Sequence, residues 1–315
     1  MATIALIIIK RTDRITAEPQ RLAQSLSFQY STASMKIIDT HCHVVSPDRQ
    51  RYPLAPIGGK QSDWSSERPT TPEQLIAAMD QAGIAKAAVV QASTAYGHDS
   101  SYLADSIARF PSRFTGVYSL DPLQPDALKQ MDHWKSRGMT GMRVFTTGST
   151  MPGQQTWLDD ERAFPVWEKA GKERVPIAVQ MTAEGIPLLL KIVSRFPETL
   201  FLLDHLARPA ITDGPPYAKA KSLFDLGAYP SIYLKLTSRT VEHCQSGQAT
   251  PATFMPKLVQ AFGAARIMWG SNFPAHDDTL PNILKETQHV LSVLDPSDQA
   301  MILAGTAEQI YPTLK

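Results

Sequence analysis

Residues 35–43 read MKIIDTHCH, an apolar rise at Ile37 and Ile38 followed by Asp39, His41 and His43 at alternate positions. Side chains two apart on a β-strand share a face. A strand over Ile37–His41 therefore brings Asp39, His41 and His43 to one side at its C-terminal end, with Cys42 turned away as packing. Downstream, short apolar runs recur at Ala87–Gln91, Phe114–Ser119, Gly141–Phe145, Pro176–Gln180, Leu200–His205, Ile232–Leu236 and Ile267–Gly270. Several are almost unbroken, as expected of parallel strands buried on both faces.

Helix-period segments lie between the runs. Thr71-Pro72-Glu73 and Thr250-Pro251 open two of them with an N-cap residue followed by proline at the first helical position. Others cover Ser100–Phe110, Pro125–Arg137, Arg162–Lys172, Ile186–Phe196, Tyr217–Leu226 and Leu280–Leu294. Strands alternating with helices in this number specify the α/β class and a (β/α)8 TIM barrel over residues 35–315. A doubly wound open sheet is the rival, but no glycine-rich phosphate loop follows any strand.

Residues 1–34, with an apolar run at Ala5–Ile9 and polar residues after it, are expected to form an N-terminal extension outside the barrel. The alternative is a short element plugging the barrel bottom. The run is too short to span a bilayer, and Lys10, Arg11 and Arg14 follow it rather than precede it, the wrong order for a signal peptide. Residues 44–70, rich in Pro, Gly and Ser, form a long first loop on the face where barrel sites are built.

With 31 Lys plus Arg against 30 Asp plus Glu, there is no bulk field to attract nucleic acid or an anionic membrane. The two cysteines, Cys42 and Cys244, make no disulfide framework, and the expected compartment is the reducing cytoplasm. The sequence leaves the oligomeric state open, a homo-oligomer included.

Polar residues gather at the strand ends. His205 and Arg208 follow strand six, Arg143 lies in strand four, and Lys235 and Arg239 lie in and after strand seven. Asn272, His276 and Asp277 follow strand eight. Strand ends of a barrel converge on one face, so these residues point to one shared site. Guanidinium groups match carboxylates with paired hydrogen bonds, so Arg143, Arg208 and Arg239 suggest an anionic small-molecule substrate. Ion pairing with acidic residues of neighbouring loops is the alternative. Tyr96 after strand two is read as a substrate contact or a wall residue. Trp64, Trp157 and Trp269 are read as packing.

The motifs D-x-H-x-H at residues 39–43, D-H-x-x-R-P at 204–209 and W-G-S-N-F-P at 269–274 resemble the amidohydrolase superfamily. The stretches RYPLAP, GMTGMRVF and IYLKLTS are similar to its amidohydrolase-related branch, which includes pyrone-dicarboxylate and sugar lactonases. The resemblance implies a hydrolase that opens a carboxylate-bearing lactone. His41, His43 and His205 would polarise the carbonyl, Asn272 would orient water, and Arg143, Arg208, Arg239, Tyr96 and Gln180 would contact substrate.

Two residues depart from the pattern. Gln180 stands where metal-dependent members carry a strand-five histidine, and Asn272 stands where they carry an aspartate. An amide is a poor metal ligand beside imidazole, and a carboxamide accepts no proton near neutral pH. The leading expectation is therefore a site that requires no cofactor, with a neutral histidine of the cluster, His276 or Asp277 as base. A single zinc on His41, His43 and His205 is the alternative, in a hydrolase or a non-oxidative decarboxylase. A carboxylate-binding protein without catalysis is the third reading.

Overall fold

Eight short strands form one parallel sheet in the order β1 (Ile38–Cys42), β2 (Lys86–Val90), β3 (Phe114–Ser119), β4 (Met139–Phe145), β5 (Ile177–Gln180), β6 (Phe201–Asp204), β7 (Ile232–Thr237) and β8 (Ile267–Gly270). The structure is a computed structural model that describes residues 35–148, 150 and 154–315. Helices alternate with the strands, giving the expected (β/α)8 barrel. The expectation for residues 1–34 lies outside the described residues.

The sheet closes where β1 meets β8. Thr40 Oγ1 donates to the Trp269 carbonyl at 2.7 Å, Asn272 N donates to the His41 carbonyl at 2.6 Å, and His43 N donates to the Phe273 carbonyl at 2.8 Å. Gly270 makes this approach feasible. A Cβ there would lie 2.4 Å from His41 Cβ and 2.8 Å from its backbone nitrogen. Asp39 ties the same seam, accepting from the Ser271 backbone at 2.9 Å and from its hydroxyl at 2.5 Å. The β1–β2 register slips between Asp39 and Cys42, an irregularity of the kind that re-aims side chains near sites.

Side chains facing into the barrel, Ile38, Ala88, Val90, Val117, Ala178, Leu202 and Met268, pack with Ala307, Ile310, Tyr311 and Leu314. The floor is thus filled by residues that follow the eighth strand. Lys36 Nζ reaches the Leu314 carbonyl at 3.3 Å, which places this floor at the strands' N-terminal ends. The opposite, C-terminal mouth is free to carry the site.

The start signals work as read. Thr71 caps Pro72–Ala82 in a capping box with Gln74. The first loop is more ordered than its composition suggested, holding a turn of 3-10 helix at Ile57–Gly59 and a short helix at Asp63–Glu67. The helix expected over Tyr217–Leu226 shrinks to Lys221–Asp225 between 3-10 turns. Strand six stops at Asp204, one residue early, because the backbone changes hand at His205.

Candidate active site

Asp204, at the end of β6, is fully buried and organises the layer beneath the mouth. Its Oδ2 accepts from Arg143 Nε at 2.7 Å. Its Oδ1 lies 3.4 Å from His41 Nδ1 and 3.4 Å from Lys235 Nζ. Burial pushes the Asp204 carboxyl up, but Lys235, Arg143 and His41 outweigh it and hold the group well below the usual carboxylate range. Arg143 Nη2 continues the layer, donating to Gln180 Oε1 at 3.0 Å and standing 3.5 Å from His41 Nε2. A guanidinium nitrogen only donates. In that contact His41 Nε2 can only accept, an arrangement that leaves the ring proton to Nδ1, on the Asp204 side.

Above this layer opens a cavity of about 310 Å³. His43, Trp64, Phe145, Gln180, His205 and Arg208 line it, together with Arg143 from β4 and Asn272 just after β8. His43 Nδ1 contacts the Val90 carbonyl at 2.8 Å. A carbonyl only accepts, so Nδ1 carries the proton and the Nε2 lone pair is left open. His43 also packs on Trp64 at 5.1 Å between ring centroids. His205 Nδ1 pairs with the Thr237 hydroxyl at 2.7 Å. The rings of His41 and His43 are 5.1 Å apart, and those of His41 and His205 are 4.9 Å apart.

His205 and Arg208 owe their positions to unusual backbone. His205, Leu206, Ala207 and Arg208 all have φ between 52° and 58°, one turn of left-handed helix. Such a conformation costs an L-residue roughly 1–2 kcal/mol. It is held by the Arg208 N to His205 carbonyl bond at 2.9 Å and by complete burial of Leu206 and Ala207. Both cavity-facing side chains come from its ends.

The remaining residues singled out from the sequence divide clearly. Arg143 is ion-paired internally rather than left free for a ligand. Arg208, by contrast, has a buried Nε with no hydrogen-bond partner among the described residues, and burial with its neighbours Arg239 and Arg143 lowers its guanidinium to about 10. Arg239 is exposed and does not line the cavity. Tyr96 accepts from Ser46 N at 2.7 Å through its hydroxyl and does not line this cavity. His41 lies fully buried one layer below the cavity. Asn272 lines the cavity with φ 59°.

Neither outer base candidate reaches the cavity. His276 faces Glu242 at 3.7 Å and Asp277 faces Arg68 at 3.4 Å. Asp204 opens the D-H-x-x-R-P stretch, and nothing local in the sequence marks its role. Only the closure of the barrel reveals that it anchors Arg143 and His41.

Burial, then the positive charge of Arg143, lowers His43 to about 3. Burial, partly opposed by Asp204, likewise takes His205 to about 3. Both are neutral at physiological pH. An unfolded histidine titrates near 6.5, so between pH 6.5 and 3 the unfolded chain binds protons that the folded chain refuses. Stability is full above 6.5 and is lost as pH falls. At pH 5 the loss is about 2 kcal/mol per residue. Thermal unfolding at pH 7 and pH 5 should show a clear drop in midpoint that is smaller in His205→Gln. Equal drops in both proteins would rule out this assignment.

A family model described as amidohydrolase matches residues 38–313. An L-fucono-1,5-lactonase of Burkholderia ambifaria is 25% identical over 210 residues, covering 64% of this chain and 69% of its own. A 4-sulfomuconolactone hydrolase of Hydrogenophaga intermedia is 24% identical over 241 residues, covering 75% and 74%. Among solved structures, a Pseudomonas putida protein assigned as a 2-pyrone-4,6-dicarboxylic acid hydrolase superposes with TM-score 0.71 at 19% identity, over 89% of this chain and 98% of that one. A Burkholderia multivorans amidohydrolase with TM-score 0.70, 18% identity and coverage of 88% and 99% holds zinc.

The donor set here does not fit such an ion. The guanidinium of Arg143 stands against His41 Nε2, and Gln180 and Asn272 supply amides. Among the described residues no three His, Cys, Asp or Glu side chains converge as metal ligands.

Proposed function

The chain belongs to the amidohydrolase family, and from that premise we propose that it is a carboxylic ester hydrolase opening a carboxylate-bearing lactone without a metal. The observation that carries this reading is the pairing, in one cavity, of two neutral histidines with Arg208, whose buried Nε has no hydrogen-bond partner among the described residues. Arg208 receives the substrate carboxylate, with Arg239 adding positive potential from outside. His205, with Thr237 donating to Nδ1, presents Nε2–H to the lactone carbonyl and stabilises the developing oxyanion. His43 presents its Nε2 lone pair to the attacking water, which Asn272 helps to orient, and takes the water's proton. It returns that proton to the ring oxygen as the acyl C–O bond breaks and the oxyanion collapses to the carboxylic acid. His41 acts from below, through Arg143.

A histidine at about 3 is a weak base, and the substrate itself corrects this. Its carboxylate brings a negative charge beside the histidines, which raises their proton affinity as the complex forms. The named lactone hydrolases among the relatives support the reaction type. The substrate is a small anion. Cys42 and Cys244, both free and buried, suit a reducing cytoplasmic setting. Among the described residues no helix is long and apolar enough to cross a membrane.

The test is a panel of lactones with and without a free carboxylate, assayed with and without chelator. Carboxylate-bearing lactones should be hydrolysed at rates unaffected by chelator. Arg208→Met should raise KM roughly 10- to 100-fold, the worth of a charged hydrogen bond, with little change in kcat. Activity lost with chelator and restored by zinc would overturn the metal-free mechanism. Binding of carboxylate lactones without turnover would instead identify a binding protein.

A further inference from the structure

Lys235 is an ionisable side chain sealed inside the barrel, and the mechanism above leaves it without a task. It is fully buried in β7, and the β6–β7 register pairs it directly with Asp204. We propose that Lys235 is a positioning residue: held against Asp204 Oδ1, it keeps that carboxylate under His41 and so fixes the His41 ring with its proton on Nδ1. The proposal assigns the support behind the lactonase site and, in its activity arm only, rests on that reading.

Three observations meet at this point. Asp204 divides its oxygens, giving Oδ2 to Arg143 Nε at 2.7 Å while Oδ1 stands 3.4 Å from both His41 Nδ1 and Lys235 Nζ. Those three atoms are buried and without hydrogen-bond partners among the described residues. A small closure would join them as N–H···O···H–N, which would satisfy all of them at once. The remaining neighbours offer Lys235 no equivalent. Asp39, the other carboxylate acting on Lys235, has its oxygens engaged by Ser271 and the His41 backbone.

The consequence of removing the ammonium follows from carboxylate geometry. A carboxylate beside one guanidinium turns to accept two parallel hydrogen bonds. Without Lys235, Asp204 would rotate both oxygens towards Arg143, abandon His41 Nδ1 and draw Arg143 away from Gln180 and His41 Nε2. The His41 ring would then lose the pair of contacts that specify its tautomer. Arg143, a cavity wall residue, would shift with it.

The experiment is a long-range ¹H–¹⁵N spectrum of the full chain labelled at histidine, with the His41 signals assigned by their loss in His41→Gln. In the unmodified protein His41 should be a single neutral tautomer protonated at Nδ1. A proton on Nε2 would overturn the proposal before any variant is made. In Lys235→Met the Nε2-protonated form should appear, and an unchanged His41 in a folded variant would also overturn it. Should Lys235→Met fail to fold, Lys235→Gln, which retains a neutral donor, is read in the same way.

With a lactone that the unmodified protein hydrolyses, Lys235→Met should lower kcat roughly 10- to 100-fold, as expected of a small misplacement, with KM within about twofold. Equal losses in kcat and rises in KM would mark a merely structural residue. If no lactone is turned over, the function reading fails while the tautomer result still decides the role of Lys235.

Discussion

Asp204→Asn should lower the thermal midpoint by about 10 °C and the turnover of any accepted lactone at least 100-fold. The substitution is nearly isosteric, so the effect is one of charge. Arg143 and Lys235, both buried, would lose their shared counter-ion. Leaving a buried charge uncompensated costs about 3–5 kcal/mol, and a domain of this size shifts by roughly 2–4 °C per kcal/mol. The loss of activity has a separate cause, because Arg143 would no longer be anchored beside His41 and Gln180. Differential scanning calorimetry and steady-state kinetics on the same preparation separate the two. A midpoint within 2 °C of the parent (roughly the shift from 1 kcal/mol) would show that the buried charges are satisfied by something other than Asp204.

Gly270→Ala should have the second largest effect, on the seam rather than on the charges. The added methyl would meet His41 Cβ at 2.4 Å and His41 N at 2.8 Å, and both belong to a strand rather than to a flexible side-chain tip. Neither β1 nor β8 can yield without stretching the Asn272 to His41 bond at 2.6 Å. Overpacking of this kind costs about 1–3 kcal/mol and more where backbone must move. The expected result is a lowered midpoint together with weakened activity in the fraction that remains folded, since His41 sits on the displaced strand. Hydrogen exchange should localise the change to the amides of His43 and Asn272. Unchanged protection there would mean that the barrel closes by other contacts.

The barrel was legible because its strands announce themselves. Runs such as Ala87–Val90 and Phe201–Leu203 are apolar at consecutive positions, which only a strand covered on both faces tolerates, and Thr71 and Thr250 mark helix starts by chemistry that acts within a few residues. Positions such as His43, His205 and Arg208 were legible because strand ends converge. What was illegible depends on distance in the chain. That Arg143 is taken by Asp204, 61 residues away, follows from the curvature of the barrel, and no local pattern records it. That His41 is sealed while His43 reaches the cavity depends on the side chains that converge over β1 from other strands, which no local pattern records. Tyr96 is equally suited to ligand or wall by sequence, and the Ser46 backbone amide that donates to its hydroxyl comes from 50 residues away, beyond any local pattern.

The reversed turn at His205–Arg208 has a consequence for how such motifs travel between proteins. In a right-handed turn, residues three apart also share a side, but the mirror-image winding presents them from the opposite direction. A peptide with the letters DHLARP has no reason to wind this way alone, because every residue in the turn would relax to the ordinary hand. The motif is therefore a request that the surrounding barrel must grant. Transplanting those six letters onto another scaffold would move the composition of the site without its shape. A mature barrel with Leu206 and Ala207 locked underneath is what converts the string into a pair of aimed groups.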